Sequence, residues 1–218
     1  MLKSAGLLAL GVVFAGSAVA AENKLFKDFA YDAPKASFAK TKGIYDCSAD
    51  IGGDAPCIDD VDFIGHKIVQ VLAFTGAKLK AVSLVSMPFE QEVYTSSVAA
   101  LTKSFQLVAM ANKQAQLDLI ELAKKSKDKN DYVTKLTNFE NQSLQAGNLT
   151  YTLFEGVEMK SSYTSAAVMG IDMPETVRAA ELAITEEADD SALVIRFSFP
   201  KLDQKQFAEA AKKPVESF

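Results

Sequence analysis

The side chains with chemistry to offer crowd into one short stretch. Cys47 and Cys57, the two cysteines of the chain, have nine residues between them and stand among six aspartates, Asp46, Asp50, Asp54, Asp59, Asp60 and Asp62, just ahead of the single histidine, His66. Two cysteines in an exported chain most often pair. A ring of this size is worth about 2.5–3 kcal/mol in the chain-entropy account of disulfide stabilisation. A redox pair would have two intervening residues and a helix start to lower one thiol pKa. Neither is visible, so Cys47 and Cys57 are read as a structural disulfide.

The aspartates are hard oxygen donors of the kind calcium prefers. The EF-hand order, with a central Gly and a closing Glu at its twelfth position, does not occur. Asp59, Asp60 and Asp62 would also point to different faces of a strand. The stretch reads as a solvated loop that protects a sheet edge, with a calcium site on Asp46, Asp50, Asp54, Asp59, Asp60 and Asp62 as the alternative. His66 has no second imidazole for a two-histidine metal site or a proton relay, and it follows Gly65 as an exposed turn residue would. A hydrolase would have to use His66, or the carboxylate pair Asp59 and Asp62. No Gly-x-Ser-x-Gly elbow, P-loop or dinucleotide fingerprint is found. The sequence therefore assigns no catalytic residue.

These residues must be positioned by strands. Ile44 to Ser48 reads as one strand and Cys57 to Ile64 as a second, with Gly52, Gly53 and Pro56 breaking the chain between them. Lys67 to Thr75 is a third, and the turn at Gly76 sends the chain into a fourth, Leu79 to Val85. Connections this short force an antiparallel meander. Upstream, Asp32-Ala33-Pro34 predicts the capped start of a short helix that stops at Gly43. After Pro88, Val98, Leu101, Phe105, Val108, Asn112, Ala115, Leu119 and Leu122 recur at spacings of three and four, apolar at all but Asn112. They predict a long helix to about residue 126, with a break near Met110 to Asn112 as the alternative.

A polar loop, Ser126 to Asp131, separates this from a second helix, Tyr132 to Leu144, closed by Gly147. Leu149 to Glu155 alternates like a strand. The segment Val157 to Met173 fits helix or strand. Thr176 to Thr185 and Ala192 to Phe199 form a hairpin across an acidic turn. Asp203 and Gln206 make a capping box for a last helix, followed by a loose tail from Pro214. The fold class is α+β, with an N-terminal antiparallel meander and a C-terminal hairpin packed by helices. Residues 21–127 and 128–218 are the expected halves, or one domain spanning both. The echo of Ser86-Met87-Pro88 in Ser198-Phe199-Pro200 fits pseudo-equivalent halves, with chance similarity as the alternative, since it is too short to define a repeat.

Residues 1–20 carry Lys3, an apolar run from Leu7 to Ala15 and small residues at Ala18 and Ala20, the layout of a signal peptide cleaved after Ala20. That implies the periplasm, or full secretion. No later run of about 18 apolar residues offers a membrane span. The formal net charge of −5 becomes one unit more negative without Lys3, a surface that repels nucleic acid. Export, acidity and a stapled sheet favour a non-enzymatic periplasmic protein-binding factor of inhibitor, immunity or envelope-assembly type. The alternatives are a small-ligand or cation binder and an envelope hydrolase.

Overall fold

The computed structural model describes residues 23–51, 55–187 and 190–212. The expected signal peptide, Asp54, the middle of the acidic turn and the C-terminal tail lie outside the described residues. In chain order, β1 (Lys24–Phe26) and β2 (Phe29–Ala30) pair, and a single 3-10 turn follows at Lys35–Phe38. Then come β3 (Ile44–Asp46), α1 (Ser48–Ile51), β4 (Pro56–Phe63), β5 (His66–Thr75) and β6 (Lys78–Ser86). α2 (Gln91–Ser104), β7 (Phe105–Ala111), β8 (Gln116–Asp118), α3 (Leu119–Lys125) and α4 (Lys129–Gln145) form the middle of the chain. β9 (Asn148–Glu155), α5 (Ala166–Asp172), β10 (Arg178–Glu187), β11 (Asp190–Ser198) and α6 (Pro200–Ala211) complete it.

One nine-stranded antiparallel sheet runs through the molecule in the order β3-β4-β5-β6-β11-β10-β9-β7-β8. Its central strand, β11, pairs with β6 on one side, laddered from Ala81 opposite Ser198 to Ser86 opposite Leu193, and with β10 on the other. The protein is thus α+β, with antiparallel sheets dressed by helices. Among the described residues no helix is long and apolar enough to cross a membrane.

Directly opposed residues share a face, so the register writes out what each face contains. Ile58, Gln70, Leu84, Ile195, Leu182, Tyr151 and Met110 stand in one row across seven strands. This face carries the main core, covered by Leu25 of β1, by Val93, Tyr94 and Leu101 of α2, and by Leu136 and Phe139 of α4. Burying a side chain of this size is worth about 1.5–3 kcal/mol, so the covered face supplies most of the driving force for folding. The next row, on the opposite face, reads Val71, Ser83, Arg196, Glu181 and Thr152. Among the described residues its two ends are packed with apolar side chains, whereas Arg196 in its middle is exposed. Ile120 and Met169 pack on Val108, Phe154 and Ala179 at one end, and Cys47, Ala55 and Cys57 pack on Val71 at the other.

Several predicted elements differ, and α4 already begins at Lys129 inside the expected polar loop because Asp128 caps it by accepting the Asp131 N–H. The long helix is α2 followed by β7, β8 and α3. Its apolar spacing is satisfied because β7 is buried on both faces: Met110 enters the main core and Val108 the opposite one. Such a strand shows an apolar residue at whatever spacing is tried. The short upstream helix is the 3-10 turn, and Asp32 does not cap it. With φ +64, Asp32 presents its carboxylate to Lys80 and Gln206. The last helix begins four residues earlier than predicted, at Pro200 with Phe199 rather than Asp203 at the cap position, and the missing N–H of Pro200 costs nothing in the first turn. Asp203 accepts the Tyr31 hydroxyl at 2.6 Å instead of forming a capping box.

Candidate functional site

The cysteine and aspartate stretch lies at one end of the sheet. The sulfurs of Cys47 and Cys57 stand at disulfide distance, tying the turn after β3 to β4. Asp46 accepts from the Ser48 backbone N–H at 2.9 Å and from its hydroxyl. The Ser48 bonds hold the Asp46 carboxyl below its usual range. Ser48 Oγ in turn accepts the Ala55 N–H at 3.1 Å, and the Cys47 N–H donates to the Ala55 carbonyl at 3.0 Å. This network folds the chain over α1 so that the cysteines meet.

The remaining candidates are placed apart. Asp59 accepts the Tyr45 hydroxyl at 2.7 Å, a bond that pushes the Tyr45 pKa up. Asp60, at φ +55, occupies the bulge between Ile58 and Val61. Asp62 pairs with Lys67 at 2.7 Å, which holds its carboxyl low. Asp50 lies in α1. The structure does not bring Asp59 and Asp62 to a common partner, and among the described residues no three potential metal-ligating side chains stand together. His66 opens β5 opposite Phe63, beyond the two-residue turn of Ile64 and Gly65.

What the stretch does frame is a groove. Among the described residues β3 is an edge strand, paired with β4 alone. Beside it lies a cavity of about 440 Å³ lined by Phe38, Ile44, Tyr45, Pro56 and Phe74, with Lys35 at its rim. Each wall has a reason to be there. The segment ahead of the 3-10 turn is sewn to the start of β6, where Asp32 N–H donates to Leu79, Leu79 N–H to Ala33 and Lys35 N–H to Ala77. Phe38 is then held by stacking on Phe29, with centroids 5.6 Å apart, and by an edge contact with Phe74 at 5.9 Å. Gly43, at φ +83, reverses the chain into β3 through a backbone conformation that residues with a side chain rarely adopt.

The backbone of β3 is oriented by the same logic. Pro56 stands opposite Asp46 and has no N–H to offer the ladder. Hydrogen-bonded and non-bonded pairs alternate along antiparallel strands. Tyr45, opposite Cys57, therefore faces β4 with its N–H and C=O, and Asp46 turns its own pair outward. The outward rung runs along the mouth of the groove. Phe38 was legible as an apolar anchor, but its partnership with Ile44, Tyr45 and Phe74 was not. Those residues are up to 36 positions apart, and only the β5–β6 hairpin and the strap across it bring them together.

No protein-family model matches this chain, and no curated protein and no solved structure is significantly similar to it.

Proposed function

We propose that the protein is a non-enzymatic binding factor for another protein of the periplasm or envelope, and that it captures an extended segment of that partner along β3. The observation that carries this reading is the outward rung of β3 beside an aromatic-lined groove. An added strand would draw affinity from main-chain hydrogen bonds and specificity from alternate side chains entering a pocket. Phe38, Ile44 and Phe74 offer such a pocket to apolar side chains of the partner. Tyr45, which is 41 % exposed, is the kind of rigid aromatic that dominates binding energy once covered. The disulfide and the Ser48 network fix the edge in advance, which lowers the ordering cost of association.

The test places a photo-crosslinking side chain at Tyr45 and, as a control, at exposed Thr134 on α4, and maps the adducts formed in an envelope extract. The expected result is one partner, joined at Tyr45 through a contiguous run of a few residues and not joined at Thr134. Asp46→Pro removes the outward N–H and abolishes the adduct, whereas Asp46→Ala, which keeps that N–H, retains it. Equal capture by both variants, or adducts scattered over unrelated proteins, rules the reading out.

A further inference from the structure

We propose that the uncovered middle of the sheet's second face, overhung by α6, is a binding site for a carboxylate carried on an apolar chain, with Arg196 as the anion anchor. The site is separate from β3 and does not depend on the reading above.

The chain has two arginines, and they are used differently. Arg178 is fixed on every side: it pairs with Glu155 at 2.7 Å, donates to the Leu25 carbonyl at 2.9 Å, and lies between the rings of Phe105 and Phe197. Arg196 is exposed, and among the described residues no hydrogen bond or ion pair holds its guanidinium. It stands on the open face of β11, directly between Ser83 and Glu181 on the neighbouring strands. Two adjoining cavities of about 590 and 270 Å³ share Arg196, Asp203 and Phe207 as walls. That is the size range of a small-ligand site.

The apolar component comes from α6 and the residues before β10. Met173 and Pro200 line the larger cavity, and Phe207 is 69 % exposed at its border. α6 has no fully buried side chain and is secured by polar ties. These are Asp203 to Tyr31, Gln206 to Asp32 at 2.7 Å, Lys205 to Glu175 at 2.9 Å and Lys201 to the Ile171 carbonyl at 2.8 Å. An alkyl chain lying along the cleft would cover Phe207 and gain the usual free energy of removing apolar surface from water.

The charges select the headgroup. The other cations lining these cavities already have partners, Lys80 with Asp32 and Lys201 with the Ile171 carbonyl. Arg196 is left as the free donor fork, and a fork of this shape meets a carboxylate through two parallel hydrogen bonds. Glu181 and Asp203 line the same cavity, so a doubly charged phosphate would meet about twice the repulsion that a single negative charge meets.

The experiment is isothermal titration of the purified chain with decanoate below its micelle concentration, with decanol and decyl phosphate as comparison probes. Decanoate is expected to bind saturably at one site, with decanol at least about tenfold weaker for want of a charge-assisted hydrogen bond, and decyl phosphate weaker than decanoate by about the same factor through repulsion from Glu181 and Asp203. Arg196→Gln should weaken decanoate by about the same factor, and Glu181→Gln should tighten it. The two substitutions act in opposite directions on exposed or half-exposed side chains, so general unfolding cannot imitate the pattern. Asp46→Pro should leave decanoate binding unchanged. No saturable binding at millimolar decanoate, an Arg196→Gln variant that binds like the parent, or decanol or decyl phosphate binding as tightly as decanoate overturns the proposal.

Discussion

Glu140 on α4 accepts the hydroxyl proton of Tyr151 on β9 at 2.5 Å, beneath the helices that cover the main core. With its proton so placed, Tyr151 accepts from Tyr94 of α2, whose hydroxyl oxygen lies 2.6 Å away. One carboxylate thus ties two helices to the sheet at the only row position besides Gln70 that is not aliphatic or Met. Tyr151→Phe should destabilise the fold by about 1–2 kcal/mol and Glu140→Ala by about 1–3 kcal/mol, the range for hydrogen bonds to a charged group. The double variant should lose less than the sum, because both changes break the same bond. Urea unfolding of the four proteins measures this, and strict additivity would show that the pair is not coupled.

The buried tyrosines set the alkaline limit of stability. Burial, reinforced by Glu140, pushes the Tyr151 pKa far above its ordinary value, and burial with Asp203 does the same for Tyr31. The folded state therefore keeps these protons when the unfolded chain, near the ordinary value of about 10, gives them up. Their contribution is fully present below pH of about 10 and is lost as pH rises beyond it. The melting temperature should fall steadily above that pH, and Tyr151→Phe should reduce the slope. Absorbance at the tyrosinate band should show the buried hydroxyls ionising only as the protein unfolds.

The α+β class was legible because β4, β5, β6 and the β10–β11 hairpin are joined by turns too short for anything but antiparallel pairing. The segment from Phe105 to Ala111 was not legible. Its longer pairing is with β9, more than 35 residues away in sequence, and a strand buried on both faces imitates helical spacing. The candidate sites were half legible. The cysteine pairing was read from an expectation of export and from the lack of a redox spacing, whereas the groove beside β3 depends on Phe38 and Phe74 meeting across a strap that no local pattern announces. Arg196 did leave a trace. It is the one charge inside the alternating run from Leu193 to Ser198, and a charge on the polar phase of a central strand marks a face that the helices leave open.

The disulfide acts on the edge of the sheet more than on its centre. Cys47 and Cys57 close a loop of sequence separation 10, so Cys47→Ser/Cys57→Ser should cost about 2.5–3 kcal/mol. The loss should be accompanied by faster hydrogen exchange in β3 and β4, while β10 and β11 keep their protection. Exchange that rises uniformly over all nine strands would contradict this local role.

The turn between β4 and β5 is a place where the sequence works against its own backbone. Phe63 and His66 are paired, so Ile64 and Gly65 form a two-residue loop, and both have positive φ, +45 and +87. Two positive φ values are the mark of the type I′ turn, which favours Asn-Gly and penalises a β-branched residue at its first central position. Ile64 gains little in return, since its side chain is 42 % exposed. Ile64→Asn should therefore raise stability by about 1 kcal/mol, and Gly65→Ala should lower it by a similar amount. Both are read from denaturant midpoints at unchanged slope. A destabilised Ile64→Asn variant would mean that Ile64 packs in a way this turn geometry does not provide.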